Sequence, residues 1–341
     1  MANPVRKRVL PSSVPKDRNA IRLLIVLFAV LAVMSAAKPS TYLSIANFNS
    51  MMRQFPDYGI MAIGVSLTMI TGGIDLAVVG TANLSSIVAA KFLIAFVPRG
   101  APASQVVPML IAAVLLALAT GALCGAFSGF SIAQLRISPI LATLGAQLIF
   151  TGIAIVTTEG KPQSRLPLLY SKIGNAALFH LLPLPVFIFA AVAILIGLVL
   201  AKTRFGFQAY MVGTNSKAAY FAGLSIKSVL FRAYVISGTL SSVAGLILMA
   251  RVNSAKADYG APYTLQCILI AVLGGIDPAG GFGTIRGVTL AVLILQFLSS
   301  GINMFEQVDV TYRDMIWGAV LILALIFAWI IQQRSKRRQN D

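Results

Sequence analysis

Charge is scarce in this chain: only 11% of its 341 residues are Asp, Glu, Lys or Arg, against about 25% in an ordinary soluble domain. No polar surface could be built from so little. Acidic residues are rarer still, 10 against 27 Lys and Arg, and there are two cysteines and one histidine. Cys124 and Cys267 stand apart inside apolar runs, which excludes a disulfide framework and a metal-ligand spacing. His180, before Leu181-Leu182-Pro183, has no partner suited to acid–base or metal chemistry. A phosphate-cradling G-x-x-x-x-G-K-[ST] loop is missing, and so is any Ser/His/Asp spacing for nucleophilic catalysis. The expectation is a chain with no catalytic residue, no metal and no cofactor of its own. Energy for pumping must then come from elsewhere.

What fills the chain is apolar sequence, 58% hydrophobic with a mean hydropathy of +0.87. Apolar segments recur from residue 21 to residue 331 with short breaks, which reads as one transmembrane domain over 21–331. It lies between basic tails at 1–20 and 332–341. The net charge of +17 does not point to nucleic acid, because Lys and Arg cluster at the edges of apolar runs rather than beside aromatics. They read as topology signals and contacts to anionic lipid. The first run, 21–37, follows Arg6, Lys7, Arg8, Lys16 and Arg18 as a signal peptide would, but it lacks a small-residue cleavage site and is read as a retained helix.

A hydrocarbon core of about 30 Å takes roughly 20 helical residues to cross. Ten spans can be placed, at 21–37, 59–75, 79–97, 105–132, 137–157, 183–201, 231–250, 263–276, 287–304 and 315–331. With both termini cytoplasmic, 17 basic residues fall on the inner side and nine on the outer, while Lys91 lies within a span. An odd count would expose one of the terminal basic clusters, against the positive-inside bias. The expected fold class is therefore all-α, polytopic, N-in and C-in, with residues 202–230 as the longest cytoplasmic loop.

Two spans look short, 59–75 and 263–276, and both run into glycine: Gly72-Gly73-Ile74-Asp75 and Gly274-Gly275 followed by Gly280-Gly281-Phe282-Gly283. Broken helices expose backbone that lipid cannot satisfy, so they belong inside the bundle or beside a wet cavity. Asp75 can shape a gate or touch solute hydroxyls, or simply cap the following helix. Ser138 with Pro139 reads as the start of a helix that carries Thr143. Between Gly213 and Gly223 lies a short Ala-rich helix, with Ala218 and Ala219 at its centre, capped by Thr214, Asn215 or Ser216. On the cytoplasmic face it could dock a soluble partner. Ser299, Ser300, Gly301 and Asn303 serve either helix packing or solute contact.

The run Ala62-Ile63-Gly64-Val65-Ser66-Leu67-Thr68-Met69-Ile70-Thr71-Gly72-Gly73-Ile74-Asp75-Leu76 closely resembles the signature of ribose-type permease subunits of ATP-binding cassette importers, the monosaccharide and branched-chain amino acid superfamily. Likeness continues through Asn47 to Gln54, Ser138 to Gly145, Gly213 to Gly223, Ala271-Val272-Leu273-Gly274-Gly275 and Gly301-Ile302-Asn303. The resemblance implies two permease subunits, two cytoplasmic ATPase subunits that bind ATP, and an extracytoplasmic solute-binding protein. Gly72, Gly73, Asp75, Ser138, Pro139, Thr143, Gln54 and Asn303 would then belong to the pathway or gate. Gly213, Asn215, Ala218, Ala219 and Gly223 would form the ATPase-coupling helix. Members usually have Ser and then Gly after the Asp-Leu pair, where this chain has Ala77 and Val79, with Gly80 one position late. Members also often carry acids where Thr264 and Gln266 stand, which points to a specialised partner in a heterodimer. An ion-coupled secondary transporter would need ionisable groups in the membrane, and only Lys91 and Asp75 qualify. A membrane enzyme or assembly subunit would need ligands or an extramembrane surface that are not visible. Few charges face the interior, which suits a neutral polyol-like solute; nucleosides and branched-chain amino acids are the other candidates.

Overall fold

The computed structural model describes residues 18–98, 100–178 and 182–305, with 315, 318, 319 and 322. Residues 1–17 and 332–341, His180 and nearly all of the tenth expected span lie outside them. The described chain runs α1 (Arg18–Ala37), α2 (Pro39–Tyr42), α3 (Ile45–Ile70), α4 (Val78–Phe96), α5 (Ala103–Ala133), α6 (Pro139–Thr158), α7 (Leu168–Asn175), β1 (Ala177–Leu178), β2 (Leu182–Pro183), α8 (Leu184–Lys202), α9 (Arg204–Thr214), α10 (Ser216–Phe221), α11 (Ile226–Val252), α12 (Tyr263–Leu273) and α13 (Ile285–Ile302). The two strands form one small antiparallel hairpin in the loop before α8.

Seven of these helices, α1, α4, α5, α6, α8, α11 and α13, are long and apolar enough to cross a membrane; α12 is a shorter apolar helix. The chain is an all-α multi-pass membrane protein. The apolar run expected to begin at 59 belongs to a 26-residue helix that begins at Ile45 and stops at Ile70. It is not short: the polar residues Asn47 to Asp57 interrupt the apolar pattern of its first half, where Ser50 and Arg53 stay exposed and Asp57 is buried.

α3 and α11 occupy the middle. α11 packs against α5, α3 and α4, while α8, α12 and α13 pack on the other sides of α3. Ile60, Ile63, Leu67, Met69 and Ile70 of α3 are fully buried. By contrast α1, α6 and α8 leave Ile25, Phe28, Leu148, Val156 and Ile194 exposed, the side chains that lipid would cover. Lipid is as apolar as leucine, so contact between such helices depends on close van der Waals fit rather than on exclusion of water. α5 and α11 achieve it with glycine: a Cβ on Gly121 would lie 2.5 Å from the Gly238 carbonyl oxygen, and one on Gly125 would collide with the Tyr234 carbonyl. Some buried hydroxyls are satisfied within their own helices, as Ser66 by the Ala62 carbonyl and Ser241 by the Ser237 carbonyl.

Candidate functional site

α3 ends as glycine allows. Gly72 has φ +87°, its N–H donates to the Met69 carbonyl at 2.9 Å, and the Gly73 N–H reaches back to the Thr68 carbonyl at 3.1 Å. This closes the helix and frees the chain to run irregularly to Val78. Irregular backbone at membrane depth needs protein partners, and they are present. The Thr143 hydroxyl of α6 lies between two acceptors, the Pro139 carbonyl of its own helix at 2.8 Å and the Ile74 carbonyl at 3.1 Å. Asp75 is buried, accepting from the Ala77 N–H at 3.0 Å with one oxygen and from the Ser237 hydroxyl of α11 at 2.7 Å with the other. Gly73 sits where a Cβ would come within 2.5 Å of the Tyr234 hydroxyl and 3.1 Å of the Pro139 ring. That hydroxyl is buried and has no hydrogen-bond partner among the described residues.

Gly72, Gly73, Asp75, Pro139 and Thr143 are thus brought together around the first break. Ser138 holds the N-cap position of α6, but its side chain makes no capping bond. Asp75 lies two residues before Ala77, the N-cap of α4, so it braces the turn rather than the helix start. The Gln147 side chain of α6 supplies the missing cap by accepting the Gly80 N–H at 2.7 Å. This also accounts for glycine at 80: a Cβ there would stand 2.6 Å from the Gln147 oxygen. Tyr234, Ser237 and Gln147 escape sequence reading because each contributes one polar atom from an otherwise ordinary helix.

The second break repeats the first. Gly72-Gly73-Ile74-Asp75-Leu76-Ala77 and Gly274-Gly275-Ile276-Asp277-Pro278-Ala279 share the pattern G-G-I-D-x-A. In both, the aspartate accepts the N–H of the alanine two residues on, here Ala279 to Asp277 at 2.9 Å. Gly275 has φ +90° and, like Gly72, is the first residue past its helix's C-cap, although it aligns with Gly73 in the repeat. This internal repeat is legible in the sequence and is the clearest signal that a span-by-span reading passes over.

Both breaks meet the loop between α8 and α11. The Gly281 N–H donates to the Ile70 carbonyl at 2.9 Å, satisfying one of the orphaned carbonyls at the end of α3. A Cβ on Gly280 would lie 2.8 Å from Gly72 Cα, and one on Gly213 would strike the Ile70 carbonyl and come within 2.5 Å of the Gly281 nitrogen. Tyr210 of α9 donates to the Gly283 carbonyl at 2.8 Å. Three segments far apart in sequence therefore touch backbone to backbone, which only glycine permits. From this junction the chain passes into α10. Asn215 is its N-cap, accepting the Ala218 N–H at 3.0 Å; Ala219 is buried and Gly223, at φ +79°, ends the turn. The helix α9 before it was not expected, and it carries Gly213 into the junction. Tyr220 and Phe221 project outward, 67% and 86% exposed.

Gln54 and Asn303 stand apart from this assembly. Gln54 bonds Ser50 on its own helix at 2.8 Å, and Asn303 is an exposed C-cap of α13. Their neighbour Ser300 donates to Asn47 at 2.8 Å, which ties α13 to α3. Among the described residues no group of three or more His, Cys, Asp or Glu could hold a metal ion.

The family model for the permease component of branched-chain amino acid transport systems matches residues 47–325, a stretch that takes in both breaks and the loop between them. This chain belongs to that permease family. It is similar to the ribose import permease protein RbsC of Bacillus subtilis strain 168, 32% identical over 301 residues that cover 88% of this chain and 89% of the relative. Against RbsC of Escherichia coli K12 the figures are 33% over 311 residues, 89% and 91%. The autoinducer 2 import system permease protein LsrD of Yersinia pseudotuberculosis serotype O:3 is 29% identical over 296 residues, covering 82% and 85%. No solved structure matches the chain. In this permease Thr264 and Gln266 fall in the first turn of α12, beside Tyr263.

Proposed function

We propose that this chain is the permease subunit of an ATP-binding cassette importer that carries a sugar or sugar-like solute across the cytoplasmic membrane. It crosses ten times, N-in and C-in, with α9 and α10 on the cytoplasmic side. The Asn215 to Ala222 segment docks on an ATPase subunit, ATP being bound by that partner and not by this chain. A second permease subunit completes the pathway, and a solute-binding protein delivers from outside.

One observation carries the reading: the Ile70 carbonyl that accepts the Gly281 N–H is the same group against which Gly213 packs. Motion of the docking helix α10 is therefore passed through Gly213 to the end of α3 and to the 280–283 turn without a flexible side chain between them. Helix ends that meet through backbone shift as rigid bodies, the mode by which packed interfaces switch between discrete arrangements. The two breaks then rearrange together, and access to the path alternates. The names of the similar proteins, ribose and autoinducer 2 permeases, support a small hydroxylated solute.

The test is reconstitution with the ATPase and binding protein encoded beside it. ATP hydrolysis should rise when the sugar-loaded binding protein is added and should lose that response with Ala219→Asp. Hydrolysis indifferent to every solute offered would refute the reading. Cysteines placed in 202–230 should be inaccessible to impermeant reagents in intact cells.

A further inference from the structure

At the opposite end of the same helices lies an ion pair that the glycine junction does not involve. Asp57 of α3 is fully buried, and Arg251, one residue before the end of α11, donates to it from Nη2 at 2.6 Å while remaining 23% exposed. Between Asp57 and Ile70 the helix rises about 20 Å, so the pair sits most of a hydrocarbon thickness away from the first break. The same Nη2 approaches the Tyr263 hydroxyl at the start of α12 at 3.4 Å. Tyr58, next to Asp57, bonds Gln296 of α13 at 2.6 Å and meets the Tyr263 ring edge-on at 5.6 Å. Four helices are thus tied by one polar cluster at the end that the proposed topology makes extracytoplasmic.

Stability does not explain this cluster. Taking two charges out of water costs as much as their attraction returns, and an apolar pair of similar volume would seal the helices at least as well. Nor is the cluster fully satisfied: Arg251 Nε and the Asn253 Oδ1 are buried with no hydrogen-bond partner among the described residues. What an ion pair offers that leucine does not is a low cost of parting into water. When the helix ends separate, both charges and both orphaned atoms are hydrated, whereas an apolar seal would expose hydrocarbon.

Taking the importer reading as its basis, we infer that Asp57 and Arg251 form the extracytoplasmic latch of the solute path, closed in this structure and parted when the delivering protein engages. They are positioning residues: they set which helix arrangement prevails, and the closed state depends on both.

The experiment uses the complete reconstituted importer and measures ATP hydrolysis with and without loaded binding protein. Asp57→Asn leaves the partly buried Arg251 without its counter-charge and so favours opening of the outer end, and hydrolysis without binding protein should rise about tenfold, a ratio reached when a two-state balance shifts by about 1.4 kcal/mol. The exchanged pair, Asp57→Arg with Arg251→Asp, should return it toward the original rate. Asp57→Leu with Arg251→Met keeps the packing and should abolish stimulation by the loaded binding protein while the complex still assembles. The inference is overturned if Asp57→Asn lowers only the amount of assembled complex and leaves the unstimulated rate per complex unchanged, the result of a purely structural pair. It is equally overturned if the apolar pair is stimulated normally. Absence of stimulation in the unaltered importer would instead count against the transport reading.

Discussion

The two G-G-I-D-x-A breaks have nearly the same local sequence and the same aspartate turn, yet they sit in different surroundings. The first is gripped by two helices: Ser237 of α11 holds Asp75, Thr143 of α6 reaches the Ile74 carbonyl, and Tyr234 of α11 and Pro139 of α6 crowd Gly73. Asp277 of the second break is partly exposed, and its turn is closed by backbone bonds, Asp277 N–H to Phe282 carbonyl at 3.1 Å and Gly280 N–H to Asp277 carbonyl at 2.9 Å. Asn19 of α1 adds one side-chain bond to the Gly274 carbonyl at 3.2 Å. Local sequence therefore sets the turn, and tertiary contact decides which turn is anchored. The first break is held mainly by side chains of α6 and α11 and the second mainly by its own backbone bonds, while the Gly281–Ile70 bond couples the two.

The largest effect is expected where the breaks touch. Gly281→Val places a side chain at φ +80° against Thr214, where a Cβ would lie 2.7 Å from Thr214 Cα. It should cost about 1–3 kcal/mol in backbone strain and a similar amount in overpacking. Little folded protein should survive extraction, as size-exclusion chromatography in detergent would report. Next comes the direct comparison of the aspartates. Asp75→Ala leaves the Ser237 hydroxyl and the Ala77 N–H buried without an acceptor and should cost about 2–3 kcal/mol. Asp277→Ala, with water at hand, should cost less than about 1 kcal/mol. Thermal unfolding in detergent ranks the two, and equal losses would break the distinction between a break held by side chains and one closed by its own backbone.

Asn215→Ala removes the cap of α10 and should cost about 1 kcal/mol. That loss is local to an exposed helix, so the thermal midpoint should barely move while solute-stimulated ATP hydrolysis falls. Smallest is Tyr234→Phe: the hydroxyl has no partner among the described residues, so its removal should change stability by less than about 0.5 kcal/mol. A large loss there would mean that the hydroxyl has a partner in another arrangement of the first break.

How legible this was follows from range. The apolar runs of α1, α4, α5, α6, α8, α11 and α13, both glycine breaks and a cap among Thr214, Asn215 and Ser216 are local features and are read directly from the sequence. The start of α3 at Ile45 has no apolar signature because polar residues interrupt the run, and of these Asp57 is buried against Arg251 while Ser50 and Arg53 stay exposed. The meeting of Gly72, Gly213, Gly280 and Gly281 has no periodic signature: glycine offers no side chain to pattern, and the contacts join segments far apart in sequence. Asp57 was passed over for the same reason, since its partner lies on another helix.

The central claim is that the docking helix and both breaks move as one body through the Ile70–Gly281 contact. Hydrogen–deuterium exchange on the assembled importer, with and without a non-hydrolysable ATP analogue, tests it in the segments 68–77, 213–222 and 277–284. Nucleotide should change exchange in all three together, with the Gly281 amide among those affected. A change confined to 213–222 while the Gly281 amide keeps its protection would contradict it.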